Sequence, residues 1–287
     1  MRKIILFLFV FTIFTLLGTN FAFAQAISLS VTPTQILQGN PFMVIVDGVT
    51  EISSIKKLAF DGKKLEIFMY QKKPSALVPV DLNKKPGSYK LEMELPNGDI
   101  VEKNIEIEKR DKTEASLGIP KKLGGNTKAS QDKLVASLNE DNKILTSLRT
   151  NKKALWIRPF TSPLKQIFVT DPYGNSRKTG EYAIPHKGTD YKAKDGTGVM
   201  TINRGVVRLT KSFRNHGKTI VVDHGMGVLS YYLHLSKFKV KVGDIVSRGQ
   251  VIGLSGHSGY STGPHLHLAI RINNIAVDPE KFLELFK

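Results

Sequence analysis

Residues 89–107 read Tyr-Lys-Leu-Glu-Met-Glu-Leu-Pro-Asn-Gly-Asp-Ile-Val-Glu-Lys-Asn-Ile-Glu-Ile. Tyr89, Leu91, Met93 and Leu95 alternate with polar partners, Asn97-Gly98 supplies the residue pair that a tight hairpin turn favours, and Val101, Ile105 and Ile107 carry the return strand. Period two belongs to strands, so this stretch is a β-hairpin. The same alternation runs upstream through Ile27, Leu29 and Val31 and through Phe42, Val44 and Val46. Residues 25–110 therefore predict an immunoglobulin-like β-sandwich, and the chain as a whole is predicted to be mainly β. That segment holds no histidine, which argues against catalysis there.

Outward from the sandwich, composition sets further bounds. The chain has 287 residues, 41% of them hydrophobic, which excludes a disordered polymer. There is no cysteine, so disulfide scaffolds, thiolate metal sites and thiol nucleophiles are excluded together. Any metal must sit on histidine and carboxylate. Residues 1–24 read as a signal peptide: Arg2 and Lys3, an apolar run from Ile4 to Leu17, and a small-x-small site at Ala22-Phe23-Ala24. The expected location is the periplasm, cell envelope or exterior, with no stable membrane insertion after cleavage. The formal charge is +17, and its excess is heavier after Trp156. An exported basic protein suggests an anionic polymer or surface as partner, and export argues against nucleic acid.

Residues 111–155 turn to Lys, Asn, Gly and Ser and are expected to form a linker. Within it Leu134, Leu138, Leu145 and Leu148 make one apolar stripe on a helix expected to start near Ser130, packing on a neighbouring domain rather than on a second copy. Residues 156–287 return to strands, with a tight turn at Asn273-Asn274 and a short helix opened by Asp278-Pro279. This region is expected to bury a core of its own.

All seven histidines lie between residues 186 and 267. In His186-Lys187-Gly188-Thr189-Asp190 an extended chain puts His186, Gly188 and Asp190 on one face, with glycine leaving room between two ligands. In Gly263-Pro264-His265-Leu266-His267 both imidazoles share a face while Leu266 and Leu268 point to the core. His234 ends an alternating strand and is expected to point away from Leu233 and Leu235. An open zinc site needs three protein ligands, so four histidines and one aspartate leave two imidazoles for proton transfer and oxyanion stabilisation. His224 is expected to be a hydrogen-bonded turn residue and His216 to be exposed.

The order H-x-x-x-D, Y-x-H-L and S-T-G-P-H-L-H, joined by G-D-x-V-x-x-G-Q-x-I-G at residues 243–253, resembles the lysostaphin and LytM type of zinc peptidoglycan endopeptidase. The resemblance covers residues 156–287. It implies an antiparallel β metallopeptidase domain of the duplicated hybrid motif type, one zinc ion held by His186, Asp190 and His267, and catalytic histidines at His234 and His265. One of the two takes the proton of water while the other steadies the oxyanion or protonates the leaving amine, His265 being favoured as base. The substrate implied is a peptide cross-link of peptidoglycan, with direct cross-links favoured over glycine bridges. The N-terminal part could act as a lid or a targeting module, the lid being favoured, and a monomer is expected. The alternative is a non-catalytic wall-binding or hydrolase-regulating protein, against which the complete ligand set argues.

Overall fold

A computed structural model describes residues 26–156 and 159–287. The expected signal peptide lies outside the described residues, in which no helix is long and apolar enough to cross a membrane. The first strands are β1 (Ser28–Thr32), β2 (Ile36–Leu37), β3 (Pro41–Asp47), β4 (Lys57–Phe60), β5 (Lys63–Lys64), β6 (Phe68–Tyr70), β7 (Lys73–Pro79), β8 (Gly87–Glu94) and β9 (Ile100–Glu108). They form two sheets, ordered β1-β3-β7-β6 and β2-β9-β8-β4-β5. In the β8–β9 hairpin Tyr89 stands opposite Ile105 and Met93 opposite Val101, and Gly98 takes the left-handed φ of +92° that the turn requires. Phe42, Val44, Val46, Ala76 and Val78 of one sheet meet Leu58, Phe60, Leu91, Met93, Ile105 and Ile107 of the other in a shared interior.

The central strands β3 and β7 of the sheet β1-β3-β7-β6 are buried on both faces. The sheet's outward residues Met43, Leu77 and Phe68 join a second core with Tyr191, Leu266, Leu268, Phe282 and Phe286. Each such side chain contributes roughly 1.5–3 kcal/mol on burial, so the sandwich is docked on the C-terminal region by packing. A buried ion pair pins the joint: the Arg110 guanidinium lies 3.0 Å from Asp278 Oδ2, and Arg110 Nε donates to the Gln38 carbonyl at 2.7 Å. Asp278 also caps the terminal helix by accepting from the backbone N–H groups of Glu280 and Lys281.

The remaining elements are β10 (Glu114–Ser116), α1 (Lys128–Thr146), β11 (Val169–Asp171), β12 (Ser176–Thr179), β13 (Tyr182–Pro185), β14 (Thr189–Lys192), β15 (Gly198–Met200), β16 (Gly205–Phe213), β17 (Gly217–Gly225), β18 (Val228–Leu235), β19 (Lys237–Phe238), β20 (Ile245–Val246), β21 (Val251–Leu254), β22 (His265–Ile272), β23 (Ile275–Val277) and α2 (Pro279–Glu284). The main sheet runs β11-β14-β22-β18-β17-β16-β20, with β23 paired to β22. Asn273 and Asn274 both have positive φ, as a two-residue turn between β22 and β23 demands.

One face of the main sheet carries the core shared with the sandwich, and the other carries Leu209, Phe213, Val221, Leu229, Tyr231 and Leu233, capped by Leu145 of α1. Strand β18 is consequently buried at every position. The helix begins at Lys128, two residues before the expected start, because the Thr127 side chain accepts from the Ser130 N–H. Its leucine stripe packs on this domain, with Leu134 and Leu145 fully covered. The C-terminal region therefore does not build its core alone: Met43, Phe68, Leu77 and Leu145 come from the segments before it.

Candidate active site

Strands β14 and β22 carry the centre. Tyr191, Leu266 and Leu268 point into the core, so period two turns Asp190, His265 and His267 to the other face, with Asp190 directly opposite His267. His186 arrives from the loop between β13 and β14, where its N–H donates to the Asn175 carbonyl at 2.8 Å and its own carbonyl accepts from Gly174 N–H. His186 Nδ1 lies 3.0 Å from the Pro172 carbonyl. A carbonyl only accepts, so Nδ1 carries the proton and Nε2 presents its lone pair to the centre.

His186 Nε2 is 3.1 Å from Asp190 Oδ1 and 3.0 Å from His267 Nδ1, and the last two atoms are 2.7 Å apart. All three residues are buried, and together they could hold a metal ion. Ligand bonds of ~2.0 Å set tetrahedral corners ~3.3 Å apart, so the donor triangle fits zinc. A Cβ on Gly188 would lie 2.4 Å from His267 Nε2 and 2.6 Å from the Leu268 carbonyl, which is the physical reason for glycine between His186 and Asp190. Burial pushes the Asp190 carboxyl up, but hydrogen bonds with His186 and His267 outweigh it and hold the group well below the usual carboxylate range. Desolvation drops His267 to about 4, which keeps its imidazole neutral and available as a donor atom.

Two further imidazoles face this triangle. His265 Nδ1 is 2.9 Å from the Gly263 carbonyl and its Nε2 is 3.8 Å from Asp190 Oδ1. His234 Nδ1 is 2.9 Å from the Ser258 carbonyl, and its ring lies 4.8 Å from that of His265 and 6.0 Å from that of His267. By the same carbonyl argument each keeps its Nε2 lone pair free. Burial, assisted by His265 and His267, holds the His234 pKa well below the ordinary histidine range.

The backbone at His234 departs from the expected alternation. Its φ is +59°, a left-handed conformation costly for a residue with a Cβ, and the β17–β18 register shifts between Lys218 and Ile220. Leu233 faces the helix-covered core whereas Leu235 faces the other one. The two leucines do not share a face, because the left-handed residue between them reverses the alternation and turns the imidazole toward the metal ligands.

The groove runs both ways from this centre. One cavity of about 330 Å³ is lined by Leu138, Asn142, Tyr182, His186, His234 and His267, the other, also about 330 Å³, by Ser116, Leu117, Asp190, Lys192, Tyr260 and His265. Arg177 and Tyr260 stand between them and line both. The Arg177 guanidinium holds Asp171 Oδ2 at 2.6 Å and also contacts Asp190 Oδ2, leaving Oδ1 for the centre. This bridge was not legible in the sequence, since Arg177 and Asp171 are placed by the β12 and β11 pairings and no local pattern marks them.

The other histidines are accounted for. His224 is fully buried between the Arg204 carbonyl at 2.9 Å and Ser230 Oγ at 2.8 Å. His216, expected to be exposed, is partly buried and lies 2.9 Å from Asp141 Oδ2 of α1. The reason is the helix, which the leucine stripe implied without indicating what it would cover. His257 is exposed and pairs with Asp195. Of the tyrosines upstream, Tyr182 lines the groove and donates to Asp132 on α1, whereas Tyr173 is buried at the sandwich joint and donates to the Ala276 carbonyl.

Residues 184–279 match the model of Peptidase family M23. Peptidoglycan DD-endopeptidase ShyA of Vibrio cholerae is 46% identical over 97 residues, 34% of this chain and 23% of that protein. The chain spans about a quarter of the length of the curated relatives it matches first. The crystallised catalytic domain of lysostaphin from Staphylococcus simulans is 36% identical, and the match covers 41% of this chain and 92% of that domain with a TM-score of 0.38. A crystal structure described as an M23 peptidase from Pseudomonas aeruginosa is 26% identical and covers 88% of this chain and 96% of that one with a TM-score of 0.64, so the likeness reaches the N-terminal segments as well. Peptidases of this family depend on zinc, and the buried donor triangle suits it. The chain belongs, through residues 184–279, to Peptidase family M23.

Proposed function

We propose that the protein is an exported zinc metalloendopeptidase that hydrolyses peptide cross-links of bacterial peptidoglycan and is held latent by the segment joining its two halves. The observation that carries the reading is the pair of free Nε2 lone pairs, on His234 and His265, facing a buried three-ligand centre. His186, Asp190 and His267 would hold the ion. When bound, zinc supplies Lewis acidity, which brings the pKa of water toward ~7 and polarises a carbonyl.

The chain's own residues supply the proton traffic. His265 Nε2 takes the proton of the attacking water, because Asp190 Oδ1 at 3.8 Å steadies the imidazolium that forms. The same imidazolium then protonates the leaving amine. His234, kept neutral by burial, accepts a hydrogen bond from the water and aims it. Arg177 holds the outer oxygen of Asp190, so the inner one stays oriented.

Latency follows from what lines the groove. Strand β10 pairs in parallel with β12, and the Leu117 carbonyl accepts from Tyr260 Oη at 3.1 Å and from Thr179 Oγ1 at 2.9 Å. Lys122 Nζ donates to the His257 carbonyl at 2.6 Å. Helix α1 walls the other cavity. The cover is thus this connecting segment and not the sandwich, which packs on the core through Met43, Phe68 and Leu77.

The decisive experiment incubates zinc-loaded protein with purified peptidoglycan and identifies new termini by mass spectrometry. New amine and carboxylate ends within the cross-link support the reading, and their absence at full zinc occupancy, both before and after the connecting segment is nicked, refutes it. Nicking a protease site placed at Gly124-Gly125 frees β10 from the helix and should raise turnover severalfold, whereas equal rates before and after nicking would remove the latency.

A further inference from the structure

Strand β14 presents two rungs to the groove: Asp190 opposite His267, and Lys192 opposite His265. Opposed residues share a face, as do residues two apart along a strand, so Lys192 rises beside His265 on the face of the metal ligands. The separation along the strand is about 6.6 Å, two residues' rise, which places the lysine stem on the rung next to the centre. Lys192 lines the second cavity with Ser261, Thr262 and His265. The acids of that wall, Asp171 and Asp190, are engaged with Arg177, and Asp195, nearby in the chain, pairs with His257. Among the described residues Lys192 makes no ion pair. Its ammonium instead lies 5.6 Å from the ring centre of Phe168, an aromatic side chain 64% exposed. The cavity wall thus offers an uncompensated cation next to the proposed base, with an exposed apolar ring beside that cation.

We infer that Lys192 is a specificity-determining residue: its ammonium binds a free carboxylate on the residue adjoining the scissile amide, while Phe168 covers the aliphatic part of that residue. This rests on the peptidase reading above and refines its substrate class. Cross-links in which the acceptor residue carries a carboxylate beside the amide are preferred, and uncharged glycine bridges are not. An exposed ammonium gains little from a lone surface pair, but a carboxylate delivered by a bound peptide is held in register and partly desolvated by the cavity, where the pairing gains strength.

The test uses cross-linked fragments of purified peptidoglycan, as isolated and after carbodiimide coupling of their carboxylates to ammonia. The readout is the ratio of kcat/KM on the two. Wild type should prefer the acid form tenfold or more, Lys192→Arg should keep the preference, Lys192→Met should bring the ratio near one, and Lys192→Glu should invert it. A wild-type ratio near one, or a ratio unchanged in Lys192→Met, overturns the assignment and leaves the peptidase reading standing. Zinc-loaded protein that cleaves neither form, intact or nicked at Gly124-Gly125, overturns the peptidase reading, and this inference with it.

Discussion

At the scale of single residues, the seven histidines divide by what their nitrogens touch. His186→Ala, Asp190→Ala and His267→Ala should each lose most of the zinc on dialysis, because two donors do not retain the ion. His265→Ala should keep zinc while turnover falls by about 10² or more, the usual size of a general acid–base contribution. Zinc analysis alongside wall-cleavage assays checks both, and zinc loss in the His265 variant with retention in the His267 variant would reverse their assignments. His224 makes a different prediction. Burial drops its pKa from 6.5 to about 4, so below about 6.5 the unfolded chain takes up a proton that the folded one refuses. Stability from this group is complete above that pH and is lost as pH falls toward 4, by roughly 3 kcal/mol in all. Denaturant unfolding of metal-free protein between pH 7 and 4 should show a flatter pH slope in His224→Gln, and an unchanged slope would assign the effect to other groups.

At the scale of elements, legibility in the sequence followed how local the cause was. The β8–β9 hairpin, the Asn273-Asn274 turn and the Asp278 cap each depend on residues adjacent in sequence, and each stands where the sequence places it. The imidazoles at His265 and His267 follow from period two on one strand. What escaped depended on distant partners: the Arg177 bridge, the burial of His216 under α1, and the second buried face of β3. For β3 a signal was present, since Met43 and Ile45 are too apolar for a solvent face. The reversal at His234 had none, because nothing in Leu233-His234-Leu235 announces a left-handed residue. That conformation costs about 1–2 kcal/mol in a residue with a Cβ and nothing in glycine. His234→Gly should therefore equal or exceed His234→Ala in stability by about 1 kcal/mol, with both inactive. A glycine variant less stable than the alanine one in chemical denaturation would show that the turn carries no strain.

At the scale of the whole molecule, the halves are joined by two continuous cores, and this governs what a truncation does. Phe286 packs against Tyr70 with ring centres 5.6 Å apart, and Trp156 against Phe68 at 5.4 Å. On the opposite face of the main sheet, Tyr231 donates to the Leu145 carbonyl of α1 and lies with Leu233 and Phe213 beneath that helix. A fragment of residues 156–287 uncovers all of these, together with the Asp278 partner of Arg110. Each large apolar side chain returned to water costs roughly 1.5–3 kcal/mol, and an entire domain is stable by only about 5–15 kcal/mol. Four or five such exposures consume most of that margin, so the fragment should lack a cooperative transition, expose apolar surface and retain little zinc. A longer fragment of residues 111–287 keeps the α1 contacts and should recover part of the stability, and the full chain the rest. Thermal unfolding and zinc stoichiometry across the three lengths give the answer. A 156–287 fragment that unfolds cooperatively with one zinc bound would mean that the shared cores are adjuncts, and that the catalytic fold stands on the strands of its own sheet.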